Sequence, residues 1–179
     1  MKRCALIVIA IAVLLSGLCA VDDNNSVQMT MTFNTVGLKR PEYKVEFTES
    51  KITSEGFGNS STTAILEADY STQTFKPYDL FLSYYLRDNV KVAIYLDLNS
   101  DLTSAAGSLA YQVTFKDDGH SVSSNGTNNS LMIKTVEAAT KVGEEHCESL
   151  PFTIYVDSFA SLPSTTLTSS MTVRVQAEV

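Results

Sequence analysis

The stretch Met171-Thr172-Val173-Arg174-Val175-Gln176-Ala177-Glu178-Val179 decides the fold class of this chain. Apolar residues occupy every second position, and polar residues fill the positions between them. Because successive side chains of an extended strand point to opposite faces, the segment is predicted to be a strand with one dry face and one wet face. Half-buried strands of this kind are typical of antiparallel sheets that share a hydrophobic core.

The same alternation recurs along the rest of the chain, separated by polar segments rich in Gly, Asn and Asp. It is clear at Val27, Met29, Met31 and Phe33. The pattern predicts an all-β fold, a single antiparallel Ig-like β-sandwich of about seven to nine strands, closed within one chain or completed by strand exchange. The other predicted strands cover residues 43–47, 62–70, 80–86, 90–96, 109–115, 131–136 and 152–156.

The first 20 residues have the layout of a secretory signal peptide. Lys2 and Arg3 precede an unbroken apolar run over residues 4–15, and small residues follow up to Ala20. The run is shorter than the about 20 residues that a membrane-spanning helix needs. We therefore expect cleavage after Ala20 and export of a mature domain, residues 21–179, without a membrane span, to the periplasm, cell surface or medium. Lipoprotein-type cleavage at the last cysteine of the leader is the alternative.

Charge and cysteine content limit the partners of this domain. After cleavage it keeps 11 basic and 20 acidic residues, a net charge of −9, which disfavours binding to nucleic acid or anionic lipid. Cys147 is then its single cysteine, so an internal disulfide is excluded. The neighbouring glutamates disfavour its thiolate. We interpret Cys147 as a small residue at a loop edge before the strand from Leu150, with a His146–Cys147 metal pair or a cross-linking thiol as alternatives.

No motif for catalysis or cofactor binding is present: the chain lacks G-x-S-x-G, S-x-x-K, H-E-x-x-H, P-loop and dinucleotide-binding patterns. The sequence therefore predicts a protein that is not an enzyme and needs no cofactor. One metal candidate is Asp97, Asn99 and Asp101, which have the first three ligand positions of a calcium loop. The sixth and twelfth positions hold Leu102 and Ser108 instead of Gly and Glu. A turn explains the same three residues, since such side chains bond their own backbone.

Two segments carry further expectations. Six aromatic residues lie between positions 70 and 85, and we assign them first to the core rather than to a binding surface. Residues 136–145 are the only helical candidate, of a turn or two, because Glu137 and Lys141 are spaced to pair. The six aromatic residues are Tyr70, Phe75, Tyr78, Phe81, Tyr84 and Tyr85.

Residues 161–175 resemble the terminal signature of bacterial chaperone–usher fimbrial subunits and spore-coat-U-like secreted proteins. The Leu162-Pro163 pair and a Thr-rich segment precede Thr172-Val173-Arg174-Val175. The resemblance implies an incomplete Ig-like subunit, completed by a neighbouring subunit and assembled through a periplasmic chaperone and an outer-membrane usher. Ser164 stands where the families usually have Gly, and Leu167 where they usually have Tyr.

These observations predict an exported, non-enzymatic structural or adhesive subunit of a bacterial cell envelope or fimbria-like assembly. Its partners would be copies of itself, homologous subunits or a chaperone, bound through strand pairing. The alternative is a monomeric periplasmic or extracellular module that binds carbohydrate or protein. The residues predicted to pair with a partner strand are Val27, Met29, Met31, Phe33, Met171, Val173 and Val175.

Overall fold

The computed structural model describes residues 26–37, 43–58, 63–69, 71–87, 90–105, 107–138, 144–160 and 167–177. Within these ranges the chain forms thirteen strands and no helix. None of the described segments is a helix long and apolar enough to cross a bilayer. The strands are β1 Ser26–Gly37, β2 Tyr43–Thr48, β3 Thr63–Asp69, β4 Thr74–Phe75, β5 Tyr78–Leu86, β6 Val92–Leu98, β7 Leu102–Ser104, β8 Gly107–Leu109, β9 Tyr111–Phe115, β10 Ser121–Ser123, β11 Ser130–Val136, β12 His146–Val156 and β13 Leu167–Ala177.

The strands form two sheets. The first sheet has eight strands, six of them in the order β11-β6-β13-β1-β3-β4, while β7 pairs with β13 and β8 pairs with β7. The second sheet has five strands in the order β10-β9-β12-β5-β2. The predicted all-β, sandwich-like fold is confirmed.

Strand β13 illustrates how alternation of apolar and polar residues places one face of a strand in the core. Its inward side chains from Leu167 to Val175 are buried, and Met171 is completely so, whereas Thr168 and Gln176 on the opposite face are exposed. Removing apolar surface from water contributes roughly 25 cal/mol per Å², so the five buried inward positions fix the register of this strand. The buried inward residues are Leu167, Ser169, Met171, Val173 and Val175.

The core between the sheets is one cluster of buried apolar residues drawn from both of them. Phe152 of β12 lies in it, with ring centroids 5.7 Å from Phe47 and 5.5 Å from Phe115. Polar atoms also join the sheets: the hydroxyls of Tyr111 and Ser169 are 3.1 Å apart, and Ser169 donates to the Ser100 carbonyl. The buried hydroxyls are thereby satisfied, as a closed core requires.

The structure corrects several details of the expected layout. The pair β1–β13 is parallel, so the first sheet is mixed rather than purely antiparallel. The predicted strand at 109–115 is split at Ala110 into β8 and β9. Of the six clustered aromatic residues, Phe75 and Tyr84 are buried. Tyr78, Phe81 and Tyr85 are only half-buried, and Tyr70 lies outside the described residues.

Three sequence features fall wholly or largely outside the described residues. These are the leader, the Leu162-Pro163 pair and residues 139–143 of the helical candidate.

Candidate strand-pairing site

Strand β1 lies parallel to β13, and nine residue pairs define the register from Met29 beside Leu167 to Gly37 beside Val175. Phe33 is the partner of Met171. The two segments whose alternation predicted partner-strand pairing are thus neighbours within one chain.

The opposite edge of β1 pairs with β3. This pairing is antiparallel and comprises five residue pairs, from Ser26 beside Glu67 to Thr30 beside Thr63. Strand β1 therefore occupies a slot between β13 and β3. If it left, both neighbours would present unpaired backbone donors and acceptors, and an edge of that kind is a template for another strand.

On its far side β13 pairs antiparallel with β6, from Met171 beside Leu98 to Ala177 beside Val92. Arg174 of β13 stabilises the pairing of β13 with β6 through contacts on the outer face of the sheet. Its Nε donates to Asp97 Oδ2 at 3.1 Å, its Nη2 to Asp97 Oδ1 at 3.3 Å, and its guanidinium lies 4.3 Å from the centre of the Tyr95 ring. The hydrogen bond to Asp97 also raises the pKa of Arg174. A bidentate, partly exposed pair of this kind stabilises by about 1 kcal/mol.

Asp97, Asn99 and Asp101, the calcium candidate, are each engaged by other groups. Asp97 accepts from Arg174 and from the Ser130 hydroxyl. The Asn99 amide donates to Ser170 Oγ at 2.9 Å and Thr172 Oγ1 at 3.0 Å. Asp101 accepts from the Ser124 hydroxyl. No group of three His, Cys, Asp or Glu side chains suited to a metal exists within the described ranges. Binding of calcium here would require Asp97 to exchange its guanidinium partner for the ion.

Cys147 and His146 lie in strand β12, which starts at His146, and not in a loop as the sequence indicated. Cys147 is exposed and makes no disulfide. Partial desolvation of the sulfur, followed by the charge of Glu145, nevertheless raises the pKa of the thiol. His146 Nε2 is buried and has no hydrogen-bond partner among the described atoms. The other histidine, His120, lies in the connection between β9 and β10.

A contact near the His146 end of β12 joins the two sheets. Tyr84 of β5 donates its hydroxyl to Glu148 Oε2 at 2.6 Å, and Lys134 Nζ of β11 lies 3.0 Å from the same oxygen. Burial raises the pKa of Glu148, but the bonds from Tyr84 and Lys134 outweigh it and leave this pKa below its usual value. Burial and the bond to Glu148 raise the pKa of Tyr84. The carboxylate is therefore the ionised acceptor that ties β11 to β5 and β12.

Sequence reasoning missed these polar links. Arg174 is the only charged residue of β13 and occupies one of the alternate positions that face away from the core. Asp97 occupies an equivalent outward position in β6. Parity predicts that both side chains lie on outer faces. It does not predict that they meet, because the two strands are separated by more than 60 residues.

The sequence matches no protein-family model, and no curated protein is significantly similar to it.

Proposed function

We propose that this chain is an exported structural or adhesive subunit of a bacterial cell envelope or fimbria-like assembly, which acts by pairing strands with other subunits. The observation that carries the proposal is the position of β1 between β13 and β3. A strand in such a slot can be replaced by the same strand of a second copy, since every pairing is then kept.

Two features support exchange of β1 in particular. It is the first of the described strands, so within the described ranges its only chain connection to another strand is the one to β2. In addition, β13 remains fixed by β6 and by the Arg174–Asp97 pair on its other side, so the slot keeps its shape. A β1 segment from another copy would meet the buried row of Met171, Val173 and Val175.

The alternative is a monomeric module that binds carbohydrate or protein. Both edges of β1 are paired within its own chain, which favours a closed monomer. An exposed aromatic residue on the second sheet, Tyr155, also favours a binding surface, since tyrosine supplies apolar area together with a polar tip.

Size-exclusion chromatography of the mature chain separates the two functions. Exchange predicts a ladder of oligomers, and a synthetic peptide of residues 26–37 should suppress the ladder by filling the slot. The matched control is the same peptide with Met29, Met31 and Phe33 replaced by Ser, which should not compete. A monomer at every concentration, with a cooperative melt and no response to either peptide, would refute the subunit and leave the binding module.

A further inference from the structure

Residues 49–58 follow β2 and cross the outer face of the second sheet. The clearest sign of this is Ser83 of β5. Its neighbours Leu82 and Tyr84 point into the core, so Ser83 points outward, yet it is completely buried. An outward serine on a two-layer fold is normally wet, and here the segment 49–58 excludes the solvent.

The segment is held by polar contacts. Ile52 N donates to Ser149 Oγ at 3.2 Å, and Gly58 N donates to Glu46 Oε1 at 2.6 Å. Phe57 also packs on the sheet: its ring centre lies 6.3 Å from that of Tyr85 and 5.9 Å from Lys44 Nζ.

A group of hydroxyl side chains lies between residues 49–58 and the second sheet. The Ser83 hydroxyl is 3.1 Å from Thr48 Oγ1 and 2.8 Å from Ser149 Oγ, and Thr48 donates to the Ser50 carbonyl at 2.7 Å. Each of these groups would find water if it were uncovered, so exposing them loses little hydrogen-bond energy.

The neighbouring carboxylate of Glu46 favours exposure of this group to solvent. Glu46 Oε2 is buried and has no hydrogen-bond partner among the described residues. A buried carboxylate oxygen without a donor is costly, and solvent would relieve that cost. None of the residues 49–58 is buried, and its large apolar side chains, Ile52 and Phe57, are only half-buried, so the segment has little of the apolar burial that makes opening expensive.

From these contacts we propose that residues 49–58 form a strap that opens as a unit, separately from the sandwich, and uncovers the patch of Thr48, Ser83, Ser149 and Glu46. The strap is thus a conformational cover on the outer face of the second sheet. This inference is independent of strand exchange at β1, which concerns the other sheet.

Amide hydrogen exchange of the full mature chain tests the strap. The amides of Ile52 and Gly58 should exchange far faster than that of Leu82, with a rate that low concentrations of urea leave unchanged, as expected for local opening. Ser149→Ala removes the acceptor of the Ile52 amide and should speed its exchange by roughly fivefold, as the loss of one hydrogen bond predicts. Exchange at Leu82 should not change.

The control is Ser121→Ala, which removes an exposed hydroxyl from β10 of the same sheet, away from the strap. It should leave Ile52 exchange unaltered. The comparison of exchange rates within the wild-type chain does not depend on whether either variant folds. The proposal is wrong if Ile52 and Gly58 of the wild type exchange at the rate of Leu82 and with the same urea dependence, since the strap would then unfold only with the sandwich.

Discussion

Met171→Ala tests the burial of β13 most sharply. Met171 is completely buried in the middle of the first sheet, beside Phe33 of β1 and Leu98 of β6 in the register. Shortening a buried methionine to alanine removes transfer energy and leaves a cavity, so the free energy of unfolding should fall by about 3 kcal/mol. For a domain of this length the melting temperature should drop by about 6–12 °C.

Met132→Ala is the matched control, because it makes the same chemical change on the outer face of the same sheet. Met132 is 48% exposed. Its replacement should alter the free energy of unfolding by less than about 0.5 kcal/mol. The chain has eight tyrosines and no tryptophan, so urea unfolding is followed by tyrosine fluorescence and circular dichroism. Equal effects of the two substitutions would refute the assignment of Met171 to the inner face and Met132 to the outer face of the first sheet.

Three further changes probe the polar contacts. The pKa of Glu148 is lowered from 4.5, so its contribution to folding stability is complete above that pH and is lost as the pH falls through the lower folded value. Glu148→Gln should therefore lower the stability at neutral pH and make the stability decline less steeply on acidification. Urea midpoints measured between about pH 6 and 3 test this. Tyr111→Phe removes the hydroxyl that contacts Ser169, while Ser169 keeps its bond to a carbonyl, so unfolding should become easier by about 1 kcal/mol. The raised pKa of Cys147 predicts slow alkylation at neutral pH and acceleration in alkali, followed by mass spectrometry of the mature chain.

Each of these three predictions has an outcome that contradicts it. A Glu148→Gln variant whose stability falls as steeply on acidification as that of the wild type would remove Glu148 from the pH dependence. An unchanged Tyr111→Phe melt would mean that the link between the sheets is not formed. Rapid alkylation of Cys147 at neutral pH would show a thiolate that burial and the charge of Glu145 do not suppress.

Much of the fold follows from period-two alternation, because burial selects one face of each strand. The positions of Met171, Val173 and Val175 on the inner face were predictable in this way. Cys147 was misplaced because residues 146–149, His-Cys-Glu-Ser, contain no apolar alternation although they extend β12. A strand whose end is polar gives no hydrophobic signal.

The candidate site was less predictable for a different reason. Alternation is the same in parallel and antiparallel pairs, so the pattern at Val27 to Phe33 could not indicate that β1 runs parallel to β13. Burial of Ser83 could likewise not be predicted from the sequence, since it depends on a segment that folds over the sheet and not on the strand that carries the residue. Pairing partners and covers are set by tertiary packing, which a local pattern does not encode.

The fold and the proposed strand exchange both depend on β1 running parallel to β13. Nuclear Overhauser contacts between backbone protons of the labelled mature chain test it directly. The structure predicts contacts at both ends of the register, between Met29 and Leu167 and between Gly37 and Val175. Contacts that join Met29 to Val175 and Gly37 to Leu167, or none between the two strands, would contradict it.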